Sequence, residues 1–173
     1  NPLNGSVDMS SIPLVFFNSI NILYGLPSSN WGNGGLSNAI VLNNNNFQQE
    51  KQVIEFGSSF GSFNNRSNFL KLSSKINRIH TSFKFYHQNL ANNFKFLNQD
   101  DNLSSQTNSN SKQIALMADL MIPISKKGTI DFTYFGQKLE RQIPPTLFEG
   151  PSNAIQNDDN HRIFLNFKYQ LNH

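Results

Sequence analysis

The side chains that could do chemistry in this chain are few and scattered. Histidine occurs at His80, His87, His161 and His173. The odd spacing of His80 and His87 would point them to opposite faces of one strand, so they cannot share a metal ion. Cysteine is absent, which excludes thiol catalysis, disulfide scaffolds and Cys-based zinc sites. The run Gly32-Asn33-Gly34-Gly35 is not followed by Lys-Ser/Thr and lacks G-x-G-x-x-G spacing, so it reads as a turn and not as a phosphate cradle. No Ser/His/Asp set and no carboxylate pair is defined by spacing. The chain therefore reads as a non-enzyme, with no catalytic residue, metal or cofactor expected.

Charge gives a different clue. The net charge is +3 and the pI about 9.2, yet the cations are not gathered into a stripe. Lys71, Lys75, Lys84 and Lys168 fall on the polar side of alternating segments, and Glu55, Asp119 and Asp131 fall on equivalent sides. A nucleic-acid surface is not described by such mixing. Asn-x-Ser occurs at Asn4, Asn65 and Asn102, as chance predicts for a chain with 27 Asn.

The elements that must carry these charges are legible from period. At 173 residues the chain has the length of one ordinary domain, and 37% of it is hydrophobic. No apolar run approaches the length of a transmembrane helix; the longest, Ile12 to Phe17, is interrupted by Pro13. No secretory signal is expected at the first residue. Mean hydropathy is −0.45, but in a membrane β-barrel every second side chain faces a polar interior, so an average cannot exclude one.

From residue 47 onward the sequence alternates apolar and polar residues in six segments: Val53–Phe60, Phe69–Ile76, Ile79–Gln88, Ile114–Ile122, Ile130–Gln137 and Ile163–Leu171. Period two is the signature of a strand with one apolar and one hydrophilic face. Each segment is near the length that crosses a bilayer when tilted. Tight turns are expected at Asn77-Arg78 and at Ser125-Lys126-Lys127-Gly128, and long structureless loops at Asn89–Lys112 and Lys138–Arg162. Gly61–Ser67 is a shorter connection. Long loops alternating with short turns suit an outer-membrane barrel. Alternation by itself serves a β-sandwich with one wet face equally well.

Residues 1–46 differ: they are rich in Gly, Pro, Ser and Asn, with apolar runs at Ile12–Phe17, Ile20–Leu23 and Ala39–Leu42 before the break at Asn43–Asn46. An acidic residue, Asp8, leads to Ile12-Pro13 and then to a short apolar segment ending in Gly25. Ser28, Trp31-Gly32, Gly34-Gly35 and a last apolar segment through Ile40 follow. This order resembles the second half of the plug domain of TonB-dependent outer-membrane receptors. Ser37-Asn38 stand where that family usually has Gly-Gly, and Tyr24 where a basic residue is common.

The resemblance implies an all-β chain: residues 1–46 as the C-terminal part of a plug, and 47–173 as about six antiparallel strands that begin a transmembrane β-barrel. Because the family's barrels have many more strands, it also implies a partial chain. The signal peptide, the TonB-contacting segment, the first half of the plug and the remaining strands would lie outside it, and Gln170-Leu171-Asn172-His173 lacks the terminal aromatic of a complete barrel. The isolated chain is then expected neither to transport nor to fold stably. The implied location is the outer membrane of a Gram-negative bacterium. Implied partners are TonB, outer-membrane lipid and a scarce small molecule of the siderophore, haem or cobalamin class. Arg141, Pro144, Pro145 and Phe148 form a Pro-stiffened loop start suited to capturing such a ligand at low entropic cost. Two further readings stay open: a β-sandwich that binds glycans or mediates adhesion, with its Phe faces buried between two sheets, and an Asn-rich chain without a fixed fold. The regular alternation argues against the last.

Overall fold

A computed structural model describes residues 9–24, 38–44, 52–98, 101–146 and 151–170. The protein is all-β, with antiparallel pairing throughout the described sheets. Two short 3-10 turns, Met9–Ser11 and Leu14–Phe16, precede β1 (Ser19–Tyr24), which pairs with β2 (Asn38–Asn43) in a sheet of its own. The main sheet contains β3 (Val53–Gly61), β4 (Asn65–Ile76), β5 (Ile79–Leu90), β8 (Ser111–Pro123), β9 (Gly128–Gln142) and β10 (Ile155–Tyr169), in the spatial order β10-β9-β8-β5-β4-β3. It is a meander in which each strand lies beside the next. Among the described residues its one insertion is a hairpin of β6 (Lys95–Leu97) and β7 (Leu103–Ser105) between β5 and β8.

All six alternating segments form strands, and most run beyond their apolar stretches. β4 starts at Asn65, opposite Gly61, and β9 continues to Gln142, opposite Ile155. The backbone ladder does not need apolar side chains, so pairing continues where both faces have turned polar, as at Lys138 opposite Asp159. The loop expected over Lys138–Arg162 accordingly shrinks to residues 143–154, and the stretch expected to be structureless between Asn89 and Lys112 contains the β6–β7 hairpin. The turn at Asn77-Arg78 is present, with Asn77 at φ 57°. The β8–β9 turn closes through Ile124 N–H donating to Gly128 O at 2.9 Å. Both turns lie at one end of the sheet, and residues 62–64, 91–98, 101–110, 143–146 and 151–154 lie at the other.

The two faces of this sheet are reversed relative to a water-soluble one. On the inward face, Ser82, Lys84, Gln113, Asp119 and Gln137 are buried. On the outward face, Ile54 is 77% exposed and Leu165 73%, and Phe56, Ile163 and Phe167 are exposed as well. Register confirms the sorting, because Lys71, Lys84, Met117, Phe135 and Arg162 lie opposite one another in sequence across β4, β5, β8, β9 and β10. Ile54, Phe56, Ile163, Leu165 and Phe167 fall on the alternate positions and so point the other way. Among the described residues no second sheet lies on the apolar face; the two small sheets are β1–β2 and β6–β7.

What covers the inward face is the N-terminal segment. Phe16 is 1% exposed and packs with Ala115, Met117 and Phe135. Its ring meets Tyr86 and Phe135 edge-on, with centroids 6.4 and 6.5 Å away. This is the arrangement the aromatic quadrupole favours. Parts 1–46 and 47–173 thus share this small apolar cluster but no described strand pairing.

Candidate functional site

The inward face is a site for holding a segment of chain, and its centre is Lys84. That side chain is 1% exposed on the middle of β5. Its Nζ donates to Phe16 O at 2.6 Å and to Asn44 Oδ1, and lies 3.9 Å from Asp119 Oδ2. Asp119 is buried on the adjacent strand β8, where Oδ2 accepts from Asn44 Nδ2 and from Ser82 Oγ, each at 2.7 Å. Its Oδ1 accepts from Thr133 Oγ1 at 2.8 Å. A buried ammonium or carboxylate is costly unless paired and hydrogen-bonded, and here both are. The partners come from β5, β8, β9, the 3-10 turn and the residue after β2, and the two hydrogen bonds of Lys84 to Phe16 and Asn44 form only when the N-terminal segment is in place.

Secondary contacts widen the attachment. Gln113 Nε2 donates to Ser11 O, and Arg141 Nη2 to Ser10 Oγ at 3.3 Å. Towards the two edges two further inward pairs form within the sheet: Lys71 Nζ with Glu55 at 3.1 Å, and Lys168 Nζ with Asp131 at 3.0 Å. The cations and acids that the sequence places on equivalent faces therefore meet on the inward face. His80 and His87 lie on opposite faces of β5, as their spacing predicts.

Two clefts flank the segment. One, of about 760 Å³, opens towards β10 between Phe17, Leu42 and Asn44 on one side and Asp131, Thr133 and Arg162 on the other. Asp131 Oδ1 is buried without a hydrogen-bond partner among the described residues. The other, of about 790 Å³, lies at the loop end. It gathers Arg141, Pro144 and Pro145 with Phe94 and Phe96 of the β6–β7 hairpin, and with the amides of Gln88, Asn92, Gln106 and Gln113. Three of the four residues expected to capture ligand thus line one cavity; Phe148 lies outside the described residues. The cavity walls are fixed by asparagines: Asn108 Nδ2 donates to Ile143 O at 2.7 Å and to Ala154 O at 3.1 Å, joining one loop to the other.

Of the plug-like residues, Pro13 is buried and its carbonyl accepts from Phe16 N–H at 3.0 Å, closing the turn that presents Phe16. Ile40 pairs with Ile22 in the β1–β2 sheet. Asp8, Gly25, Ser28, Trp31, Gly32, Gly34 and Gly35 lie outside the described residues. Sequence reasoning missed Asn44 and Phe16, which make the central contacts. Asn44 stood in an Asn run that signalled only a break, and Phe16 in an apolar run with no partner to identify its face. No protein-family model matches the chain, and a search of curated proteins finds no match either.

Proposed function

We propose that this chain is part of a TonB-dependent outer-membrane receptor, in which residues 9–44 belong to the plug and the six-stranded sheet to the barrel wall. One observation carries the reading: the sheet buries Lys84 and Asp119 with Ser82, Gln113 and Gln137 on one face and exposes Ile54, Phe56, Ile163, Leu165 and Phe167 on the other. In water that sorting would be unfavourable, because about 25 cal/mol is lost for each Å² of apolar surface left wet. Against lipid it is the stable one, and a lumen-facing polar wall with a polar-contacted plug follows from it. Short turns at one end and longer loops at the other support the same orientation. The loop-end cleft, with aromatic walls, amides and Arg141, suits a small-molecule ligand of the siderophore, haem or cobalamin class, with TonB acting through a part of the protein outside this sequence. A sandwich that binds glycans or mediates adhesion would need its apolar faces buried between sheets, and nothing among the described residues favours it.

The absence of cysteine allows a direct test. Leu165→Cys points outward and Asn166→Cys inward on the same strand. With a fluorophore attached in outer membranes containing the whole protein, brominated lipid should quench the label at 165 strongly and the label at 166 weakly. Equal quenching at both positions would sink the reading.

A further inference from the structure

The two turns at one end of the sheet carry Arg78, Lys126 and Lys127, all exposed, and no carboxylate. The turns are neighbours, because β5 pairs with β8 and His80 lies opposite Met121, which places Arg78 beside the end of β8. Adjacent strands are about 4.8 Å apart, which puts the centres of the two turns about 10 Å apart, within the combined reach of the Arg and Lys stems, so the three cations form one cluster and not three isolated charges. The turn backbone fixes their placement: Lys127 N–H donates to Ser125 Oγ at 3.1 Å, and Gln170 N–H to Lys127 O at 2.8 Å. Directly beside the cluster is exposed apolar surface, with Ile76 60% exposed and Ile124 51%. The loop end differs, because its outward cations Arg66, Lys112 and Lys138 are interspersed with Glu140 and Asp159.

We propose that this turn-end cluster is a docking surface for the phosphate headgroups of anionic glycerophospholipids in the adjacent leaflet. The inference rests on the membrane reading above and adds to it a lipid preference at one rim. Apolar side chains enter the hydrocarbon while the long Arg and Lys stems reach back to the headgroup layer, where each cation strengthens attachment to an anionic surface. Charge complementarity selects the occupant: three cations without an acid in either turn match headgroups of net negative charge and not zwitterionic ones, whose own ammonium balances the phosphodiester.

The test is partition of the whole protein that contains this sequence, diluted from detergent, onto phosphatidylcholine vesicles with and without 30% phosphatidylglycerol (a composition of roughly one anionic lipid in three). The anionic vesicles should bind it roughly a hundred-fold more tightly at low salt, an advantage screened away at high salt. R78Q/K126Q/K127Q should lose most of that preference, R78K/K126R/K127R should retain it, and R66Q/K112Q/K138Q should keep the larger part despite the same change in net charge. Equal loss in the two Gln variants would overturn the site in favour of unspecific charge. Wild-type binding that is equal on both vesicles would overturn the proposal, leave the membrane reading standing and point to an acidic protein at this rim. No binding to either vesicle would overturn both.

Discussion

Lys84 and Asp119 lie 3.9 Å apart and their hydrogen-bond partners Phe16, Asn44, Ser82 and Thr133 are buried or half-buried, so neither charge can turn to water if the other is removed. Asp119→Leu leaves a buried ammonium without its counter-charge and should destabilise the folded state by about 3–5 kcal/mol. Lys84→Met leaves Phe16 O short of a donor but retains three donors to Asp119, and should cost less. The double variant should be more stable than the sum of the two predicts, because it removes both charges together. Urea unfolding in detergent, analysed as a double-mutant cycle, measures that coupling; strictly additive losses would mean that the two groups act independently. The chemistry of this pair was half legible. Its residues were identifiable as polar-face charges from alternation alone, but that they meet a backbone carbonyl of Phe16 depends on a chain reversal that no local pattern encodes.

At the scale of elements, the six strands were readable because side-chain period is a strict consequence of backbone pleating, and their centres fall where expected. Their ends were not. Beyond the apolar band both faces become polar, period two loses contrast, and yet Gln142 still pairs with Ile155. The β6–β7 hairpin was hidden for a related reason, since three-residue strands give no window in which to count alternation. Asparagine explains how such loops hold together. Asn92 and Asn108 adopt positive φ of 49° and 50°, a region Asn tolerates better than most residues, and their amides bridge neighbouring segments. Asn108→Ala removes both donors to residues 143 and 154 and should make the 143–154 loop several-fold more sensitive to limited proteolysis while leaving the sheet intact. Unchanged cleavage would show that the two loops are joined by other contacts.

Taken whole, the molecule has an apolar outward face and two strands, β3 and β10, paired on one side only among the described residues. Exposed apolar patches beyond a few hundred Å² are rare on monomeric soluble proteins, and unpaired edges template further strand addition. In water the chain should therefore associate into polydisperse species, whereas detergent micelles should hold it as small uniform particles. Sedimentation velocity in the two solvents decides this, and a compact monomer that melts cooperatively without detergent would contradict the expected lipid contact.

Phe16 and Asn44 converge on the same ammonium, although the β1–β2 hairpin lies between them in the chain. One nitrogen atom on the wall thus gathers the two ends of the hairpin, which Asn18 N–H also joins by donating to Asn43 O at 2.9 Å. Tension applied along the backbone from the N-terminal side would load the attachments of Ser10 and Ser11 before that of Phe16, and withdrawal of Lys84 would still leave Asn44 held by Asp119. The segment is therefore fastened like a row of stitches: a pull from that side opens them one after another, and the hairpin leaves the wall only when the last, at Asp119, has gone.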